Sequence, residues 1–179
     1  MRKALLADDD FLVRSYLKML SSWEKAGFEI TADVRDGEEA LEVLDREKID
    51  LVVTDIAMPL MDGIELIREI RRKYPDIYVI VLSCHDEFEY VKKAMKEGAD
   101  EYVLKNTLNE ESLYTVLEAA EEHIRQSKEE AGVKDQKQQT QEHADMKKDP
   151  EEDNNADADG KTGEKSDQTG NMNGKFLFF

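Results

Sequence analysis

Three consecutive carboxylates, Asp8, Asp9 and Asp10, follow the apolar run Ala4–Ala7, and a second apolar run, Leu51–Thr54, ends in Asp55. Set side by side as parallel strands, the two runs would carry these acids at their C-terminal ends into one crevice, the place where open α/β sheets bind ligands. So much negative charge in one crevice calls for a cation. The run Glu101–Leu104 leads into Lys105 and the run Tyr78–Leu82 into Ser83, adding an ammonium for an anion and a hydroxyl for a hydrogen bond. Hard oxygen donors for a divalent metal, a lysine and a hydroxyl together are the parts of a phosphoryl-handling site.

Five apolar runs alternate with helical patterns, the signature of βα units around a parallel sheet. The strands are expected at Lys3–Ala7, Phe28–Ala32, Leu51–Thr54, Tyr78–Leu82 and Glu101–Leu104. Val13, Tyr16, Leu17 and Leu20 fall on one stripe of a first helix, and Leu113, Val116, Leu117, Ala120 and Ile124 on one stripe of a last. Asp36-Gly37-Glu38-Glu39 resembles a capping box that opens a helix bearing Ala40, Leu41 and Leu44. Ile67, Ile70 and Tyr74 mark a third helix that Pro75 stops, and Val91, Ala94 and Met95 a fourth, with Gly98 suited to the left-handed position after its end. The expected fold is α/β, a flavodoxin-like (βα)5 doubly wound parallel sheet of order 2-1-3-4-5.

The chain has 179 residues and a net charge of −17. The stretches before and after residue 128 are both acidic, so the basic face that phosphate contacts require is missing from each. Direct nucleic-acid binding by this chain is therefore disfavoured. Between Lys128 and Lys175 there is no Leu, Ile, Phe, Tyr or Trp, too little apolar surface to offset the entropy of ordering. The expected division is a folded domain at 1–127 and a disordered, acidic, low-complexity tail at 128–179. Cys84 is the only cysteine, which excludes an internal disulfide, and it is expected in the core. No signal pattern and no apolar run of membrane-spanning length occurs, so a soluble, cytoplasmic protein without membrane contact is expected.

Ala7-Asp8-Asp9-Asp10, Val53-Thr54-Asp55-Ile56-Ala57-Met58-Pro59-Leu60-Met61-Asp62-Gly63, Leu82-Ser83, Gly98-Ala99 and Tyr102-Val103-Leu104-Lys105 occur in that order. Together they resemble the receiver domain of bacterial two-component response regulators, over roughly Met1 to Gln126. The stretch Leu82 to Tyr90 is most similar to receivers of AraC-type helix-turn-helix regulators. The resemblance implies that Asp55 accepts a phosphoryl group from a phosphohistidine on a sensor histidine kinase, in a Mg²⁺-dependent transfer of a phosphorelay. By the same carry-over Asp9, Asp55 and the carbonyl of Ala57 bind the metal, and Asp8 acts largely through water. Lys105 pairs with the bound phosphoryl, Ser83 donates to another of its oxygens, and Tyr102 is the switch aromatic. Asp10 is read as a helix N-cap rather than a ligand. His85, two residues after Ser83, stands where receivers tune hydrolysis of the phosphoryl group.

The implied protein is a phosphoacceptor that catalyses its own phosphorylation and dephosphorylation, not a turnover enzyme. It switches an output surface built from the fourth expected helix, the fifth strand and the fifth helix, and a second receiver copy, as a homodimer, is among its implied partners. Two alternatives compete. An aspartyl-phosphate phosphatase would carry a second catalytic acid two residues after its nucleophile, where this chain has Ala57. A phosphorylation-independent interaction module is opposed by the intact acids, though the chain has Asn106 where receivers have a cis proline. A non-proline cis bond costs roughly 3–4 kcal/mol, so the loop after Lys105 is expected to take its own shape. Three acids against one lysine also predict like-charge strain, with at least one carboxyl pKa raised.

Overall fold

The computed structural model describes the backbone of residues 1–84 and 88–145, and the side chains of 1–84 and 89–130. Five strands, β1 (Arg2–Ala7), β2 (Phe28–Val34), β3 (Leu51–Thr54), β4 (Tyr78–Ser83) and β5 (Glu101–Leu104), form one parallel sheet. Its order, β2-β1-β3-β4-β5, is the one expected. The helices are α1 (Phe11–Met19), α2 (Ser22–Lys25), α3 (Gly37–Arg46), α4 (Gly63–Lys73), α5 (Phe88–Glu97) and α6 (Glu110–Asp145).

Strand alternation sorts the core into two layers. Leu5, Ala7, Val52, Val79 and Val81 point to one face, where Leu44, Ile67, Ile70 and Ala94 of α3 to α5 cover them. Ala4, Leu6, Leu51, Val53, Ile80 and Leu82 point to the other, against Leu17 of α1 and Leu113, Leu117 and Ile124 of α6. With both faces covered, the inner strands read as continuous apolar runs rather than alternating ones.

Local chemistry explains the helix ends. Asp62 accepts from the Glu65 amide at 2.8 Å while Glu65 accepts from the Asp62 amide at 3.3 Å, a complete capping box that opens α4. The box expected at Asp36 is only half formed. Asp36 accepts from the Glu39 amide at 2.9 Å, but the Glu39 carboxylate turns to the Arg35 amide, where it also pairs with the Arg35 guanidinium. Gly98 has φ +105° and follows α5, as its type requires.

The first helix is shorter than its apolar pattern. It stops at Met19 because Leu20 is extended, and the chain restarts as α2, whose Trp23 is buried and donates to the Leu17 carbonyl at 2.8 Å. Tyr16 stays 46% exposed rather than joining the buried stripe. At the other end α6 runs on to Asp145, past the compositional boundary at residue 127. Its later residues are rich in Glu, Lys, Gln and Ala, which favour helix without an apolar stripe. Cys84, expected in the core, is exposed, one residue past the end of β4 at Ser83. Among the described residues no helix is long and apolar enough to cross a membrane.

Candidate functional site: an acidic pocket bridged by a lysine

The pairing of β1 with β3 runs to Ala7↔Thr54, so the next residue on each strand, Asp8 and Asp55, lies at the same edge of the sheet. The Asp55 amide donates to the Ala7 carbonyl at 2.8 Å, and the Asp8 amide to Val34 of β2 at 3.1 Å. Both acids are buried, at 3% and 7% exposure, while Asp9 is exposed. One carboxylate oxygen from each of the three lies within 4.8 Å of the others. That is close to the spread an octahedral shell of oxygens at 2.0–2.1 Å would impose, roughly 4 Å across.

Lys105, in the 3₁₀ turn Lys105–Thr107 that follows β5, reaches back into this pocket. Its Nζ is 2.6 Å from Asp8 Oδ2 and 3.0 Å from Asp55 Oδ2. The remaining oxygens are also engaged. Asp8 Oδ1 accepts from the Asp10 amide at 2.9 Å, and Asp55 Oδ1 from the Ile56 amide at 2.8 Å. Asp10 itself caps α1, accepting from the Leu12 amide at 2.8 Å, in keeping with its reading as an N-cap.

Burial raises the Asp8 carboxyl above the usual range. It outweighs the hydrogen bond and charge of Lys105, and the neighbouring Asp55 adds a further push. Burial alone would lower the Lys105 ammonium, but its hydrogen bond to Asp8 and the charge of Asp55 overcome it and the net shift is upward. The two directions are compatible, because one lysine serves two carboxylates and neutralises neither fully. A raised carboxyl was expected from like-charge repulsion; the one that is raised, Asp8, owes its shift first to burial, with the charge of Asp55 the smallest contribution.

Ser83 is fully buried at the end of β4, paired in register with Leu104 of β5. Tyr102, in β5, is half-buried and packs against the layer formed by α3 to α5. Ala57 is exposed in the turn two residues beyond Asp55. The structure thus joins Asp8, Asp9, Asp55 and Lys105 directly, and places Ser83, Tyr102 and Ala57 on the elements that frame them. His85 lies outside the described residues.

Three contributors were not evident from sequence. Gly63 opens α4 so close to β3 that a Cβ there would come within 2.0 Å of the Asp55 carbonyl oxygen. The Thr54 hydroxyl donates to that same carbonyl at 2.9 Å. Arg14 donates through one terminal nitrogen to the Asp8 carbonyl and through Nε to Asp33 Oδ2 at 3.1 Å. Asp33 is one of two acids in the half-buried strand β2, so its sequence context gave no signal of this partner.

The family profile described as the response regulator receiver domain matches residues 4–118. The chain is 39% identical over 118 residues to the uncharacterized transcriptional regulatory protein YesN of Bacillus subtilis, an alignment covering 66% of this chain and 32% of that protein. It is 40% identical over 101 residues to the transcriptional regulatory protein DegU of Brevibacillus brevis, covering 56% and 42%. Among solved structures, the REC domain of AraT, a response regulator from Geobacillus stearothermophilus, superposes with a TM-score of 0.66 at 34% identity, covering 71% of this chain and 98% of that one. A DNA-binding response regulator of the LuxR family from Staphylococcus aureus gives 0.60 at 31%, covering 67% and 99%. The chain spans a third to under half the length of these curated relatives, both named as transcriptional regulatory proteins, and the expectation that nucleic acid is not bound finds no support among them.

Proposed function

The chain belongs to the response regulator receiver family of two-component systems, and from that premise we propose that Asp55 is the residue that takes the phosphoryl group, donated by a phosphohistidine of a sensor histidine kinase. The observation that carries the reading is the convergence of Asp8, Asp9 and Asp55 with the Lys105 ammonium. In-line attack by a carboxylate on phosphorus is held back mainly by charge repulsion, so neutralisation matters more than proton transfer.

The donor set, all hard carboxylate oxygens with one member exposed, fits Mg²⁺, which would supply that neutralisation. Asp9 and Asp55 are the direct ligands in this reading, with Asp8 acting through water and the Ala57 carbonyl completing the protein's share. The Ile56 amide orients one oxygen of Asp55 and leaves the other facing the pocket. Lys105 exchanges a carboxylate for a phosphoryl oxygen, and Ser83 donates to another. Tyr102 then shifts, altering the surface of α5, β5 and α6, which a second receiver copy reads. The receiver occupies residues 1–127 and the remainder lies outside it.

Ala57 offers no general acid, which supports self-limited modification rather than turnover on external substrates. The test is incubation of the full chain with acetyl phosphate and Mg²⁺, counting alkali-labile phosphate. One stable phosphate per chain is expected, and none in Asp55→Asn, whose fold stays intact. Normal labelling of Asp55→Asn would place the acceptor elsewhere.

A further inference from the structure

Resting on the reading of Asp8, Asp9 and Asp55 as the metal-binding acids, we propose that Arg14 is a positioning residue that locks the peptide between Asp8 and Asp9 so that the Asp9 carboxylate faces the cation. The carbonyl of Asp8 lies just past the end of the β1 ladder, where among the described residues no neighbouring strand supplies a donor. Arg14, in the first turns of α1, supplies one from its guanidinium. The same guanidinium donates through Nε to Asp33 Oδ2 at 3.1 Å. Asp33 is fixed in β2, level with Leu6 of β1, and is braced from its other side by Lys18 at 2.8 Å.

The turn is therefore tied to β2 at both ends of one residue. The Asp8 amide reaches Val34 directly, and the Asp8 carbonyl reaches Asp33 through Arg14. Anchoring the Asp8 carbonyl fixes ψ of Asp8, and a change in that angle left uncompensated at φ of Asp9 would swing the Asp9 Cα and with it the Asp9 side chain. The Asp8 carboxylate is held by Lys105 and by the Asp10 amide regardless. The exposed Asp9 is the acid whose direction depends on Arg14. Arg14 is only 13% exposed and its guanidinium lies 5.9 Å from the Phe11 ring centroid, so the fork has little freedom to swing away. A lysine carries the charge but cannot span both acceptors with a rigid fork.

Charge alone predicts the opposite sign. Arg14 and Lys18 together exceed the single charge of Asp33, so the excess positive charge beside the acids would weaken cation binding, and its removal would strengthen it. The experiment is a Mg²⁺ titration of the full chain by calorimetry, on wild type, Arg14→Lys, Arg14→Gln, Asp33→Asn and the Arg14→Gln/Asp33→Asn double variant. Metal-free urea unfolding of each variant runs in parallel. Arg14→Lys and Arg14→Gln are expected to bind Mg²⁺ about tenfold more weakly, at the lower end of the range for residues that orient metal ligands. Asp33→Asn should shift the same way without touching the Asp8 carbonyl, and the double variant should be no weaker than Arg14→Gln, because the two residues act through one contact. Wild-type affinity in Arg14→Lys, tighter binding in Arg14→Gln, or additive losses in the double variant would overturn the proposal. Absence of Mg²⁺ binding by wild type would instead overturn the underlying reading of the acids, and the positioning role with it.

Discussion

Replacing Lys105 with Met would strip the ammonium from between two carboxylates while keeping most of the side-chain volume. The bridge is well enclosed, with side-chain exposures of 11% for Lys105, 4% for Asp8 and 9% for Asp55. Removing one partner of a buried pair costs about 3–5 kcal/mol, because the other charge is left uncompensated. Here two carboxylates would be left facing each other. Asp8 has an escape, since its carboxyl already sits above the usual range through burial and would rise further without the lysine. A carboxyl whose folded pKa exceeds its unfolded value binds protons more tightly in the folded state. The stability lost by the variant is therefore greatest at neutral pH and returns as pH falls through the raised Asp8 value toward about 3.9. Mg²⁺ at a hundredfold excess over its dissociation constant would restore about 2.7 kcal/mol. Urea unfolding followed by the fluorescence of buried Trp23, in EDTA and in Mg²⁺ at pH 7.5 and pH 5, reads all of this as the difference between variant and wild type. A deficit below about 1 kcal/mol at pH 7.5 in EDTA, or one unchanged at pH 5, would refute the account of the lysine as the counter-ion of this pocket.

Gly63→Ala would drive a methyl group into the Asp55 carbonyl, 2.0 Å away, so a loss of about 2 kcal/mol or more is expected in thermal unfolding, with slower phosphorylation by acetyl phosphate. The hydrogen bond from Lys18, with further help from Arg14 and against a smaller opposing effect of burial, holds the Asp33 carboxyl below its usual range. Its contribution is present above the unfolded value and is lost as pH falls through the lowered folded one. Asp33→Asn should therefore cost under about 1 kcal/mol at pH 7, and progressively less as pH falls from the unfolded value through the lowered folded one, read from urea midpoints. Leu60 holds φ +63° with 74% of its surface exposed, a conformation that costs an ordinary L residue about 1–2 kcal/mol. Leu60→Asn should raise the thermal midpoint by the equivalent of about 1 kcal/mol, and an unchanged midpoint would show that the turn relaxes around leucine.

The sheet was legible because its inner strands are covered on both faces, which compresses their pattern into short apolar runs such as Leu51–Thr54 that end abruptly in charge. The acids and Lys105 were legible for the same reason, since each follows such a run. Less visible were features created by pairing across the fold. The partnership of Arg14 with Asp33 exists because β2 lies beside β1 and sets Asp33 level with Leu6, a register that no local pattern encodes. Gly63 belongs to a recognisable turn, yet its contact with the Asp55 carbonyl depends on how α4 meets β3. The competition for the Glu39 side chain at the start of α3 was hidden as well, because Arg35 outside the helix offers both its amide and its guanidinium. Helix periodicity overreached at Tyr16, where the early stop of α1 leaves the ring outside the layer that Leu17 joins.

The flanking of β1 by both β2 and β3 also governs how the domain assembles. Joining β1 to β3 closes a loop that contains β2 and α3, so the centre of the sheet forms through contacts distant in sequence, which reward the chain only after the entropy of closure has been met. The final rungs of that pairing, up to Ala7↔Thr54, bring Asp8 and Asp55 together. Their counter-charge arrives on the far side of the sheet, because Lys105 follows β5 and β5 pairs only with β4. A folding chain that zips its centre before its edge thus passes through a species in which the two acids face each other with no lysine between them. Cations in solution would shield that species, and where it limits the rate added salt would speed both limbs of the chevron, refolding because the acids are apart in the unfolded chain and unfolding because the native pocket already holds its lysine.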